Sequence, residues 1–299
     1  MKSRLILYFK GVAMGAADIV PGVSGGTIAL ITGIYEELIT TIKNINLDLF
    51  KSFFASGFKK FWNELNGKFL ITLLLGIFTS VILLAQVIVF LLENHEYKLW
   101  GFFFGLIVAS AVLILKDIQS FNINLAFWVF VGIIAAGAIS ISNSTNIPNT
   151  DVYVFFTGSI AITAMILPGI SGSFILLLLS KYEFIINAIK DFELRVIIVF
   201  AAGCIFGLII FSRFLHYLFQ NYKNKLLSLL SGFLIGSLIK IWPFRQIIET
   251  RLNSDGIEEA VVTQPIIPDL TEVNSIGFFI AFSFLGYILI TFIQKKSIT

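Results

Sequence analysis

The sequence predicts an all-α polytopic membrane protein built as an inverted-topology duplication, each half holding one re-entrant helical hairpin and three transmembrane helices. Three observations predict it. Hydrophobic residues make up 57% of the 299 residues and charged residues 13%, which is too little polar surface for a soluble domain. Six apolar runs, at about 69–92, 99–115, 123–142, 195–218, 226–242 and 275–293, approach the roughly 20 residues that a bilayer crossing needs. Finally, Pro21-Gly22-Val23-Ser24-Gly25 returns 147 residues later as Pro168-Gly169-Ile170-Ser171-Gly172.

The first half spans 1–150 and opens with hairpin 1, about 4–42, whose arms are about 4–20 and 24–42. Lys2 and Arg4 before an apolar stretch resemble a signal peptide, but Lys10 interrupts that stretch and the repeat includes it, so it is expected to be mature structure. A 16-residue arm is about 24 Å long at ~1.5 Å per residue, short of the ~30 Å hydrocarbon core. Proline also disfavours helix in the residue before it and removes a donor. The simplest reading is helix in, turn near the midplane, helix out on the same side; one kinked spanning helix plus a loop is the alternative. Phe50, Phe53, Phe54, Phe58, Phe61, Trp62 and Leu65 then recur at helical spacing, with Lys51, Lys59 and Lys60 off that stripe. This predicts an amphipathic helix over about 47–66, lying on anionic phospholipid at the inner interface or packed on the bundle.

The second half spans 151–299, with hairpin 2 at about 152–190 (arms about 152–167 and 171–190) and a polar loop at about 244–274. Identities between the hairpins run from Ala17–Ile39 to Ala164–Ile186. Beyond them Gly76, Asn94, Lys98, Leu99, Gly105 and Ser110 match Gly203, Asn221, Lys225, Leu226, Gly232 and Ser237 at an offset of 127. Three crossings per half is an odd number, so the second half enters from the opposite face and hairpin 2 points back at hairpin 1. Lys and Arg divide thirteen to six in favour of the hairpin-1 side, which places both termini in the cytoplasm and the polar loop outside.

The broken segments carry the candidate site, since unwound backbone in lipid is tolerated only where protein or water satisfies it. Helices are expected to start at Ser24 and Ser171, each a good N-cap able to donate its hydroxyl. With Gly25, Gly26, Thr27, Gly172 and Ser173 they would bring free amides and small residues to an anion such as phosphate. Plain helix breaking with small-residue packing is the other reading. Asp18 lies three residues before Pro21, where burial of an ionisable group points to proton uptake or gating, or to a salt bridge. Its counterpart is Met165. Arg213 suits a phosphate or snorkels to headgroups. Lys240, near the outer end of its crossing, is read first as snorkelling. Glu36 and Glu183, each beside Tyr35 or Tyr182, are solvated at the interfaces or gate the path. His216 and Cys204 are read as packing residues. A net charge of +3 does not imply nucleic acid, the single cysteine excludes an intrachain disulfide, and two histidines without ligand spacing imply neither metal nor cofactor.

With those residues placed, the chain resembles the bacterial polyprenyl-phosphate transporters of the PopT type. The resemblance covers nearly the whole chain. It rests on Ala17-Asp18-Ile19-Val20-Pro21-Gly22-Val23-Ser24-Gly25-Gly26-Thr27, on Ile166-Leu167-Pro168-Gly169-Ile170-Ser171-Gly172-Ser173, and on Gly236-Ser237-Leu238 followed by Trp242-Pro243. It implies duplicated re-entrant hairpins. It also implies return of undecaprenyl phosphate, the carrier lipid of wall synthesis, from the outer to the inner leaflet of the bacterial cytoplasmic membrane. Two rivals share the plan. A small-anion transporter or channel would use the same helix ends. An undecaprenyl-diphosphate phosphatase would want a fixed cation at the turn, and neither turn carries an Arg or a His–carboxylate pair.

Overall fold

The computed structural model describes residues 2–298 except 21, 119, 253–257 and 270–272. Pro21, and the side chains of Lys2, Phe50, Arg251, Lys295 and Lys296, lie outside the described residues. The helices are α1 (Lys2–Ile19), α2 (Gly25–Ile31), α3 (Tyr35–Lys43), α4 (Leu47–Ser56), α5 (Phe58–Glu64), α6 (Gly67–Asn94), α7 (Glu96–Asp117), α8 (Ile123–Ile141), α9 (Asp151–Ile166), α10 (Gly172–Leu178), α11 (Tyr182–Lys190), α12 (Leu194–Ile241) and α13 (Val273–Ile298). Five of them, α6, α7, α8, α12 and α13, are long and apolar enough to cross a membrane. Phe78, Ile82 and Leu83 on α6, Phe127 and Phe130 on α8, and Phe284, Ile288 and Phe292 on α13 stand exposed. An apolar surface of that extent needs lipid, so the chain is an α-helical multi-pass membrane protein.

Several boundaries differ from those expected. The two crossings expected at about 195–218 and 226–242 are two helices that run into each other within α12 and are separated by a kink at Tyr222 (φ −139°, ψ 37°). His95, between α6 and α7, has φ −141° and ψ 38°, so residues 127 apart break their helices with the same backbone turn. The amphipathic helix is two helices, because Gly57 adopts φ 77° between α4 and α5. The second arm of each broken segment is itself bent. Gly33 (φ 73°) and Ser180 (φ 51°), 147 apart, separate α2 from α3 and α10 from α11; α10 and α11 meet at 109°. The polar loop is not irregular. It holds an antiparallel ribbon of β1 (Arg245–Leu252) and β2 (Glu258–Pro265), with Arg245 opposite Pro265 and Leu252 opposite Glu258. Trp242 Nε1 donates to Ile266 O at 2.9 Å and Arg245 Nη1 donates to Ile239 O at 2.8 Å, so the ribbon is tied to the C-terminal end of α12.

Glycines let the long helices approach, as expected where apolar packing gains nothing over lipid and close van der Waals contact must hold the bundle. A Cβ on Gly76 would meet Tyr8 O, Val12 N and Gly11 Cα, binding α6 to α1; a Cβ on Gly203 would meet Phe155 O, binding α12 to α9. Gly105 and Gly286 join α7 to α13, and Gly132 and Gly232 join α8 to α12. Gly76→Val is therefore expected to cost about 1–3 kcal/mol by overpacking and to lower the melting temperature in detergent by several degrees. Gly277→Ala, where an added Cβ meets nothing within 4 Å, should leave it unchanged or raise it slightly. A third feature ties down the connection after α8. The ammonium of Lys181, buried at the α10–α11 bend, donates to Ile147 O and Asn149 Oδ1.

Candidate functional site

The two broken segments meet. Pro168 cannot continue α9, which ends at Ile166, so the last carbonyls of that helix lack i+4 donors. Residues of the first segment supply them: Ser24 Oγ donates to Met165 O at 2.8 Å and Tyr35 Oη donates to Ile166 O at 3.1 Å. In return Gly169 N donates to Thr27 Oγ1 at 3.0 Å. Gly22 and Gly169 have φ 84° and 85°, a left-handed turn that a side chain would strain. The two turns thus share one backbone geometry and cross-brace each other.

Within that junction the ends of α2 and α10 differ. Ser24 caps α2 as the sequence predicts, accepting from Gly26 N at 3.0 Å. Asp18 Oδ1 accepts from Gly25 N at 2.7 Å. The first two amides of α2 are therefore held by the chain's own oxygens. Ser171 occupies the N-cap position of α10 without making a cap bond; its Oγ lies 2.7 Å from Ser173 Oγ. Met165, standing where Asp18 does in the first copy, offers no carboxylate.

The glycines expected to admit a ligand admit protein instead. A Cβ on Gly25 would strike the Asp18 carboxylate, one on Gly26 the carbonyl of Ile166, and one on Gly172 the carbonyl of Ala161. Ser24 and Thr27 are buried with their hydroxyls engaged. Ser24, Gly25, Gly26 and Thr27 accordingly build the junction.

Lys240 is where hydropathy alone misplaces a residue. Its Nζ lies 4.0 Å above the centroid of the Phe174 ring in α10, a cation–π distance. Its Cγ is 3.0 Å from the point where Gly22 would carry a Cβ. The stem of Lys240 therefore rests on the first turn and its ammonium on the helix after the second. The ammonium makes no hydrogen bond and no ion pair with a described residue. Ser237, which a Cβ on Gly169 would touch, precedes Lys240 by three residues and so shares its helix face.

Other expected residues lie away from the junction. Arg213 is exposed on α12 and pairs with no described residue. Glu36 Oε2 accepts from Lys223 Nζ at 2.9 Å beside a cavity of about 490 Å³ that Tyr35, Asp117 and Phe219 also line. Tyr35 is buried and packs on Phe219, with ring centroids 5.7 Å apart. Its counterpart Tyr182 is exposed, as is Glu183. His216 Nδ1 lies 3.2 Å from Thr40 Oγ1, and Cys204 Sγ contacts Gly158 O at 3.4 Å.

The chain is similar to known proteins over most of its length. It is 44% identical over 264 residues to the polyprenyl-phosphate transporter of Vibrio cholerae serotype O1, covering 88% of this chain and 86% of that protein. It is 33% identical over 258 residues to the polyprenyl-phosphate transporter of Staphylococcus aureus, covering 80% and 87%. No solved structure gives a significant match. These names describe transporters and not enzymes. Residues 14–259 match the VCA0040-like family model, described as undecaprenyl phosphate translocase-like, and the chain belongs to that family.

Proposed function

We propose that the protein carries polyprenyl phosphate across the bacterial cytoplasmic membrane, returning undecaprenyl phosphate from the outer to the inner leaflet. The head would bind where the two turns meet, against Lys240, Ser171 and Ser173. The observation that carries this reading is the ammonium of Lys240, which has no carboxylate partner among the described residues and is set on Gly22 of one turn and Phe174 beyond the other. A phosphate monoester supplies countercharge for this ammonium and an acceptor for whichever of the two paired hydroxyls is not donating to the other. Because α2 and α10 have only seven residues each, their dipoles are small, and the lysine rather than the helix ends supplies most of the attraction. The apolar tail can stay in lipid along the exposed faces of the bundle.

We read the two halves as inverted repeats with re-entrant broken segments. The matched backbone turns at Gly22 and Gly169, Gly33 and Ser180, and His95 and Tyr222 support this reading. So do the three apolar stretches that follow each broken segment, since an odd number reverses entry. The excess of Lys and Arg on the hairpin-1 side then sets both termini in the cytoplasm.

Inward movement of the head works against a negative-inside potential, at ~2.3 kcal/mol per charge per 100 mV, and the head carries about −1.5 to −2 charges. Proton co-transport would remove that opposition, and Asp18 at the first turn is the group placed to carry it. The test uses proteoliposomes that contain undecaprenyl phosphate, with the accessibility of the head to an impermeant phosphatase as readout. Transbilayer movement should depend on the protein and fall when Ser171 and Ser173 are both changed to Ala. Chloride or inorganic phosphate flux without lipid movement would select an anion channel instead, and release of phosphate from the diphosphate would select an enzyme.

A further inference from the structure

A second anion-binding feature lies away from the junction. Ser3, Arg4 and Lys10 of α1, Glu37 of α3 and Lys68 of α6 line a cavity of about 290 Å³, with Ile6 on its wall. Three cations face one carboxylate. Lys10 Nζ donates to Thr32 O at 2.6 Å, and Glu37 Oε1 accepts from Asn66 Nδ2 at 2.9 Å. Arg4 and Lys68 are exposed, and neither side chain forms a hydrogen bond or ion pair with a described residue. Among the described residues the cavity therefore holds more cationic donors than its one carboxylate can match.

Its neighbours place it at headgroup depth. Trp62 of α5 packs on Gly67, next to Lys68. The helices α4 and α5 expose Phe53, Phe54 and Phe58 together with Lys51, Lys59 and Lys60, a composition that lies in a membrane interface with rings among acyl chains and lysines among headgroups. On the same two helices Leu5, Ile6, Phe9, Ile71 and Leu75 are exposed, apolar surface on which a lipid tail can lie.

We propose that this cavity binds the phosphate head of a membrane lipid, with Arg4, Lys10 and Lys68 as its donors and the tail along the exposed face of α1 and α6. It is a site separate from the junction of the turns, and it does not rest on the transport reading. The cavity has room for a phosphate head and the linker behind it, and a phosphomonoester makes better use of three cations than a zwitterionic head does.

The test measures lipid retained by the full-length protein in phosphatidylcholine nanodiscs doped with dioleoyl phosphatidate, read by native mass spectrometry. The wild-type protein should prefer phosphatidate over phosphatidylcholine. Arg4→Gln combined with Lys68→Gln should lower that preference by about tenfold or more, since each cation near the surface adds appreciably to anionic-lipid affinity. Glu37→Gln, which removes the one opposing charge, should raise it, a change in direction that misfolding cannot imitate. Inorganic phosphate alone should not displace the lipid. No preference in the wild-type protein, an unchanged preference in either variant, or full displacement by inorganic phosphate would each overturn the proposal, the last by making the cavity a site for the free anion.

Discussion

Lys240→Met is expected to abolish most binding of undecaprenyl phosphate while leaving the protein folded. The ammonium forms no hydrogen bond or ion pair with a described residue, so removing its charge leaves no described hydrogen-bonding group unsatisfied; methionine keeps an unbranched stem against Gly22 and Phe174. What is lost is a charge-assisted contact with the phosphate, about 1.5–3 kcal/mol, or roughly 10- to 150-fold in affinity. Lys240→Arg should restore part of it, because the guanidinium keeps the charge but presents a wider, planar fork. Titration of the detergent-solubilised protein with the lipid, followed by intrinsic fluorescence, reads both variants. Unchanged affinity in Lys240→Met would remove this residue from the head site. Arg213→Ala, on an exposed stretch of α12, should have the smaller effect of the two, the reverse of what its guanidinium alone suggests.

Asp18 separates two roles that one substitution would confuse. Asp18→Ala leaves the Gly25 N–H without its acceptor, a cost of about 1–3 kcal/mol for a buried donor. That cost falls on the turn whose Ser24 and Thr27 brace α9, so lowered thermal stability and lost transport should appear together. Asp18→Asn keeps an acceptor oxygen for Gly25 but removes the ionisable group. It is expected to preserve melting temperature to within a few degrees while flattening the pH dependence of lipid movement in proteoliposomes. An Asn variant with wild-type pH dependence would leave Asp18 as an internal ligand for α2 and nothing more.

Much of the architecture was legible because the breaks have local causes. Pro168 and the left-handed turns at Gly22 and Gly169 are fixed by backbone chemistry, and the polar gap between the apolar runs at about 195–218 and 226–242 brackets the kink at Tyr222. Gly33 and Gly57 are also punctuation, but each sits within an apolar or amphipathic pattern long enough to hide it. The ribbon of β1 and β2 was missed because its acidic residues outweigh the short alternation around Ile247 and Ile248. Lateral packing was not legible at all: lipid and protein interior are equally apolar, so hydropathy cannot say that Ser24 reaches Met165 or that Phe174 lies under Lys240. The same limit explains the glycines of the motif. Sequence shows that small residues stand at 25, 26 and 172, and only coordinates show that the Asp18 carboxylate and the carbonyls of Ile166 and Ala161 fill the space.

The most direct measurement is a cryo-EM map of the protein with undecaprenyl phosphate bound. Head density is predicted within hydrogen-bonding distance of Lys240 Nζ and the hydroxyls of Ser171 and Ser173, with both turns in contact around it. Head density on the lipid face beside Arg213, or a map in which Ser24 and Met165 stand apart and the lysine is bathed in bulk water, would contradict the account.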